Sequence, residues 1–578
     1  MKSLKRLTAP AVLLPVLLML GCGSNGIPSL ATGVATNSGS AEAVGQEAAA
    51  LPADPTSQGA PDLPVESAGQ DPATLPAATS GQGGSSAPAS GGSGGGSSGG
   101  GSSGGASGGG AATVGGSLSG TGGSASAASP TSVAASSTAT PKPGATTSPT
   151  ASSSTPAPAS SSAPVTVSGL HTLFGNQSVP RASDGTLTRG YQLIGDLGMT
   201  AIREGFNWKN IETGKGQYVS WMNYFDDKVS TLHQMGVGIE AMICDTPSWA
   251  SSSGSQYAVP NGLSAPIFAD GTDVYKPGVG ANPANTYASY LYDLVSRYKG
   301  EITTWQVWNE PDFPSGDLTA GTTSNGSTRY WQGSVQDYVR LLKVSAAIVH
   351  GLDPHAQVAL GGLGYDSYLS AILDNGGANY FDVVDFHAYG TDKTSSNGVL
   401  NSAWGFLGRY QALKKVLDAH GVSKPFACSE TGITANLGGE QASYVAKVFA
   451  TAQGLGDVEM VHWAVFTNPG FNNIGLIDQA TMSQQTAGYP AYKFATSELS
   501  GALPVGALSG SGVQGYRFQK ADGTPLAVAW SSGSSASVSI PIGAGKVYDK
   551  DGNAIAGSFS NGQITLNLTS DPVYVVGN

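Results

Sequence analysis

Two short stretches hold residues that could do chemistry together. The apolar run Thr303–Trp308 leads directly into Asn309-Glu310-Pro311, and the run Pro425–Ser429 leads into Glu430-Thr431-Gly432. Each run is brief and nearly continuous, as expected of a strand buried on both faces. A lone glutamate at such a place could simply cap a loop or pair with a lysine. Two of them, each at the C-terminal end of a strand, suit the cleavage of a glycosidic bond. One carboxyl group protonates the leaving oxygen while the other attacks the anomeric carbon or activates water.

That chemistry requires a scaffold that brings both strand ends to one place. Eight apolar runs qualify as strands: Gly169–Phe174, Met199–Asn207, Gly236–Cys244, Thr303–Trp308, Gln357–Gly361, Phe381–His387, Pro425–Ser429 and Glu459–Val465. Amphipathic segments separate them, among them Arg189–Leu197, Met222–Met235, Val335–Gly351, Ala403–His420 and Glu440–Gly454. This alternation fits an α/β (β/α)8 TIM barrel over residues 165–500, although a doubly wound open sheet would alternate in the same way. A barrel sets the ends of strands four and seven around one mouth, where barrel active sites lie. After Leu499 the runs shorten and are divided by Asp522-Gly523, Asp551-Gly552 and Asn561-Gly562, which are hairpin-turn dipeptides. Residues 501–578 therefore read as a small antiparallel β-sandwich. It has no aromatic strip of the kind that binds carbohydrate, so its expected role is structural.

The first part of the chain is of another kind. Lys2, Lys5 and Arg6 precede the apolar stretch Ala11–Leu20, which ends in Leu20-Gly21-Cys22. Residues 1–22 read as an export signal, and the Gly-Cys ending resembles a bacterial lipobox, with Cys22 as the lipidation site. Residues 23–164 consist mainly of Ser, Gly, Ala, Pro and Thr, and no Phe, Tyr or Trp precedes Phe174. Such a segment cannot bury enough apolar surface to offset its ordering entropy. It reads as a disordered tether reaching roughly 65 Å from an anchor. The expected location is the bacterial cell envelope, at the outer membrane or the cell surface.

Other partners and chemistries fit less well. A formal charge of −12 disfavours nucleic acid, whose phosphates call for a basic surface. No clustered His/Cys spacing suggests a metal, and no cofactor is expected. Gly362-Leu363-Gly364 imitates part of a dinucleotide fingerprint but lacks its third glycine. Cys244 and Cys428 fall on strands that are not neighbours and are expected to be buried free thiols. Cys428, two residues before Glu430, is expected to point into the barrel beneath it.

The motifs also carry a family resemblance. Trp308-Asn309-Glu310-Pro311 resembles the acid/base motif of glycoside hydrolase clan A, and Ser429-Glu430-Thr431-Gly432 resembles that clan's nucleophile strand. Within the clan the chain looks most like family 39 and its biofilm-exopolysaccharide-cleaving relatives, with family 5 next. The resemblance covers about residues 168–500, with the sandwich that follows. It implies a retaining β-glycoside hydrolase acting on an extracellular or cell-surface polysaccharide or oligosaccharide, as a monomer, with Glu310 as acid/base and Glu430 as nucleophile. Ile202-Arg203 with Trp208 resembles the clan's second-strand pattern, so Arg203 should hold Glu430 ionised. Asn309 should donate to the sugar 2-hydroxyl, while His387 and Tyr389 should line the sugar site. Trp463 is implied as the sugar platform, and Trp208 and Trp249 as further substrate contacts. A transglycosylase would use the same residues, and a non-catalytic polysaccharide-binding lipoprotein remains a reading from another class.

Overall fold

The computed structural model describes residues 171–182, 185–219, 222–313, 329–390, 394–468, 471–484 and 486–578. The expectations for residues 1–22, for Cys22 and for the tether through residue 164 lie outside the described residues.

Eight parallel strands form one sheet: β1 (Leu173–Gln177), β2 (Ala201–Asn207), β3 (Gly238–Cys244), β4 (Thr304–Val307), β5 (Gln357–Ala359), β6 (Val384–Ala388), β7 (Phe426–Thr431) and β8 (Val458–Trp463). They lie in the order β5-β4-β3-β2-β1-β8-β7-β6. Parallel bridges Ala359–Val383 and Leu363–Phe386 join the two ends, so the sheet closes into a barrel. The open-sheet alternative is thereby excluded. The helices are α1 (Thr188–Asp196), α2 (Met222–Gln234), α3 (Thr286–Arg297), α4 (Val335–Leu352), α5 (Asp366–Asp374), α6 (Phe406–Ala419), α7 (Gly439–Leu455) and α8 (Gly488–Leu499). Local chemistry starts several of them. Asn285 caps α3, and Ser334 with Asp337 makes a reciprocal capping box on α4. The segment read as a helix over Ala403–His420 forms α6, with Gly405 at its start, and a further short helix, Ser396–Asn401, precedes it. Among the described residues no helix is long and apolar enough to cross a membrane.

The barrel interior is layered. At its base Leu173, Ala201, Ala359, Val383, Ala427 and Met460 pack together. Above them comes a polar layer of Arg203, Glu240, Gln306, Asp385, Ser429 and His462, all buried. Their polar groups face the lumen because alternate strand residues point to opposite faces. Larger apolar side chains from the other strand face pack against the helices in the main core.

In the C-terminal region β9 (Leu503–Ala507), β10 (Val513–Gln519), β11 (Pro525–Ser531), β12 (Ala536–Ile540), β13 (Gly545–Tyr548), β14 (Ala554–Ile555), β15 (Phe559–Ser560), β16 (Gln563–Leu568) and β17 (Val573–Gly577) build two antiparallel sheets. Their orders are β9-β10-β11-β17-β13-β14 and β12-β16-β15. Asn561 and Gly562 both take positive φ (52° and 74°), the backbone that a tight hairpin turn demands. One face of the larger sheet packs on Val538, Ile540, Ile564 and Leu568 of the smaller one. Its other face, with Phe518, Leu526, Val528 and Trp530, belongs to the barrel's own core. Phe494 of α8 packs edge-on against Tyr574, with ring centroids 4.9 Å apart.

Cys428 is buried and free, as expected. Cys244 is also buried but is disulfide-bonded. The expectation of two free thiols is corrected there.

Candidate active site

Glu310 and Glu430 meet at the barrel mouth. One carboxylate oxygen of each, together with a ring nitrogen of His387, lie within 4.8 Å of one another. The two glutamates keep 21% and 14% of their side chains exposed, whereas His387 keeps 4%. A substrate can therefore reach the carboxylates, while their supports are shielded.

The backbone works to aim each of them. Pairing between β6 and β7 runs Phe386 to Cys428 and then His387 to Glu430, so β7 carries an extra residue at Ser429. This bulge lets Ser429 and Glu430, adjacent in sequence, both turn their side chains towards the lumen. It also corrects the expectation for Cys428. With Ser429 facing inward, strict alternation turns Cys428 outward, and only without the bulge would Cys428 and Glu430 share a face. After β4, Trp308 and Glu310 take positive φ (76° and 46°), a costly conformation for such side chains that concentrates at functional sites. The Glu310 N–H donates to the Gly361 carbonyl at 2.5 Å, and the Trp308 indole N–H donates to the Tyr330 carbonyl at 2.6 Å.

Glu430 is held from two sides. Arg203 Nη1 donates to Oε1 at 2.8 Å, and the Tyr389 hydroxyl donates to Oε2 at 2.9 Å. Burial by itself would push this carboxyl up. The nearby His387, the Arg203 cation and the Tyr389 hydrogen bond outweigh it and hold Glu430 below the usual carboxylate range. Arg203 is in turn fixed by Gln306 Oε1 on Nε (2.9 Å) and Asn309 Oδ1 on Nη2 (2.7 Å). The second contact orients the Asn309 amide, leaving Nδ2 as a donor for a ligand. Glu310 accepts from or donates to His387 Nδ1 at 2.8 Å. Gly362, at φ +65°, lies against the His387 ring, where a Cβ would stand 2.2 Å from Nε2. The glycine that imitated a dinucleotide motif thus makes room for this imidazole.

Two of the tryptophans, Trp463 and Trp208, depart from expectation. Trp463 is fully buried and donates its indole N–H to the Ile474 carbonyl at 2.7 Å, next to Tyr444 of α7. Its neighbour His462 faces inward, 3.1 Å from Glu240, so alternation turns Trp463 to the helix layer and it is no sugar platform. Trp208 is also buried. It donates to Glu212 at 2.7 Å and stacks on Tyr290 of α3 at 5.0 Å, which leaves no face for a sugar. Trp249 is half-buried, edge-on to Trp208 at 5.9 Å, with its N–H given to the Glu212 carbonyl. Its described contacts are with these residues rather than with the carboxylate cluster.

Sequence reasoning missed several residues beside the carboxylates. Half-buried Phe471 packs edge-on against Tyr389 at 5.5 Å and offers an aromatic surface near the mouth. Half-buried Tyr330 senses both Glu310 and Glu430; burial first, and then their charges, push its hydroxyl up to about 12. Asp312 is fully buried and accepts from the Gly364 and Tyr365 N–H groups at 3.0 and 2.7 Å. Burial, reinforced by Glu310, pushes it up to about 7 against those hydrogen bonds. Gln306, Asp385 and Ser429 could have been noticed as polar residues within apolar runs. Glu310, His387 and Glu430 are also residue types that ligate metals, but here they are engaged with each other, Ser429, Arg203 and Tyr389.

No protein-family model matches the sequence, and no curated protein matches it. Among solved structures the chain is similar to a family 39 glycoside hydrolase from the gut symbiont Bacteroides cellulosilyticus WH2. The two are 19% identical with a TM-score of 0.54, over 71% of this chain and 81% of that one. It is also similar to a GH30 endoxylanase from Clostridium papyrosolvens C71, at 15% identity and a TM-score of 0.46, over 72% and 98% of the two chains. The first likeness shows the fold, the barrel that the clan A motifs implied. Fold and site together define a (β/α)8-barrel protein with a supported glutamate pair at the mouth.

Proposed function

We propose that the chain is a retaining β-glycoside hydrolase acting on an extracellular or cell-surface polysaccharide or oligosaccharide. The observation that carries this reading is the approach of the Glu310 and Glu430 oxygens to within 4.8 Å. That spacing suits a double displacement, since an inverting pair must stand further apart to admit a water. In the first step Glu310 gives its proton to the leaving oxygen while Glu430 attacks the anomeric carbon, forming a glycosyl ester. In the second, Glu310 takes a proton from a water that attacks the same carbon, and Glu430 departs as a carboxylate. Asn309 Nδ2 is the donor for the 2-hydroxyl, a contact that strengthens as charge develops at the anomeric centre. A non-catalytic binder would have no need of a nucleophile clamped by Arg203 and Tyr389. Proton NMR of the first-formed product tests the proposal. The expected product keeps the β configuration, and an inverted anomer would overturn the mechanism.

The same proposal places the enzyme at the cell envelope through a lipid on Cys22, with residues 23–164 as the tether. Cys22→Ser should release the protein from the membrane fraction with its activity intact. Persistent membrane association would rule the anchor out. Lipidation consumes the Cys22 thiol, so mass spectrometry that found this cysteine in a disulfide in the mature protein would do the same.

A further inference from the structure

Beneath the two glutamates runs an unbroken chain of hydrogen bonds that connects them through residues outside the proposed reaction. Arg203, which grips Glu430, donates through Nε to Gln306 Oε1 at 2.9 Å. Gln306 Nε2 donates to Ser429 Oγ at 2.9 Å and to Asp385 Oδ2. Ser429 Oγ lies 3.0 Å from His387 Nε2, and His387 Nδ1 lies 2.8 Å from Glu310 Oε1. Gln306, Asp385 and Ser429 are fully buried.

The donors in this chain have fixed directions. Arginine can only donate, so Gln306 must present its oxygen to Arg203 and its NH2 group to Ser429 and Asp385. Ser429 Oγ therefore accepts from Gln306, and its own hydrogen faces His387 Nε2 at 3.0 Å, with the Asp385 carboxylate as its other neighbouring acceptor. An imidazole that accepts at Nε2 carries its proton on Nδ1. We propose that Ser429 and Gln306 are positioning residues that fix the proton of His387 on Nδ1 and, through it, place the acid proton of Glu310 on Oε2. The inference deepens the glycosidase reading and rests on it for its consequence in catalysis.

Several charged groups face His387: Glu310 beyond β4, Glu430 on β7 at 3.6 Å, Arg203 on β2 and Asp385 on its own strand. Burial opposes a second proton on the ring, as does Arg203, but the two glutamates together outweigh them and move the imidazole up from its ordinary value. Ser429 adds a directional term. A proton on Nε2 would give Ser429 Oγ two donors and leave its own hydrogen without its present acceptor. In its neutral form the imidazole is thus a donor to Oε1, and the acid proton sits on the oxygen turned away from it. Once Glu430 becomes a glycosyl ester its charge is lost, and one of the two pulls towards imidazolium goes with it.

The test begins on the unmodified full chain, labelled with 15N at its seven histidines and assigned with His387→Gln. Long-range 1H–15N correlation at a pH where His387 is neutral should show the proton on Nδ1. A proton on Nε2 overturns the proposal, whether or not any glycoside is cleaved. Ser429→Ala removes the donor to Nε2 and lets the ring take a second proton beside Glu310. The basic limb of the kcat/KM profile for substrates that need protonation should then move down by about one pH unit. Substrates whose leaving groups need no proton should lose less than about threefold in the first step, and Ser429→Thr, which keeps the hydroxyl, should restore the limb. An equal loss on every substrate with an unmoved limb would mean that Ser429 only fills space, and would overturn the proposal. Should Ser429→Ala fail to fold, the tautomer in the unmodified chain still decides.

Discussion

Glu430→Ala is expected to lower turnover of every substrate by on the order of 10⁵-fold or more, the scale of losing a covalent nucleophile. Glu310→Ala should fail differently. An aryl glycoside with a strongly acidic leaving group needs no proton, so formation of the glycosyl-enzyme should persist and its hydrolysis should stall. A burst of one equivalent of aryl leaving group followed by a slow phase is the expected trace. Azide, which needs no general base, should then relieve the second step and yield a glycosyl azide of β configuration. These roles follow from the surroundings of each carboxyl group. Glu430 is clamped between the Arg203 cation and the Tyr389 hydroxyl and held ionised, as a nucleophile must be. Glu310 faces an imidazole rather than a guanidinium, a partner that tolerates both of its protonation states. If Glu430→Ala showed the burst and Glu310→Ala showed none, the two assignments would be exchanged.

The alternation of apolar runs and amphipathic segments made the barrel legible, and two Glu residues at strand ends located its mouth. Backbone local to one strand was not legible. The bulge at Ser429 depends on how β7 pairs with β6, a relation between segments some forty residues apart, so strict alternation put Cys428 on the wrong face. The tryptophans failed for a related reason. An indole near a strand end stacks on a sugar or packs behind the strand according to its parity, and parity at Trp463 is set by the Glu240–His462 pair across the barrel. Trp208 resembles a site residue in sequence, yet its N–H is already committed to Glu212 four residues on. Arg203, Asn309, His387 and Tyr389 do converge on the carboxylates. Their chemistry allows little else, because a buried arginine or imidazole needs a charged or hydrogen-bonding partner.

Arg203→Met should be the most damaging change that leaves both glutamates in place. Methionine fills much of the same volume but offers no donors. Gln306 Oε1, Asn309 Oδ1 and Glu430 Oε1 would each lose the partner they have at 2.7–2.9 Å. Breaking a buried ion pair on one side costs about 3–5 kcal/mol, because the remaining charge is left uncompensated. A lower midpoint in urea with an unchanged slope would register that loss. In catalysis, Asn309 loses the contact that orients its amide and Glu430 loses a donor, so kcat should fall by about 10²–10³-fold. The pH response carries the sign. Arg203 helps hold Glu430 below the ordinary carboxylate range, and a carboxyl depressed by folding contributes stability above its unfolded value that is lost as the pH falls through the folded one. Without the guanidinium, burial dominates and the carboxyl moves up. The acid limb of kcat/KM should therefore shift to higher pH, and the variant should lose less stability than the parent as the pH falls through the carboxylate range. Arg203→Lys restores the charge but not the planar set of donors that grips three acceptors. It should return the acid limb towards its original place while recovering only part of kcat. An acid limb that stayed fixed in Arg203→Met would show that Tyr389 and His387 hold the nucleophile ionised without the guanidinium.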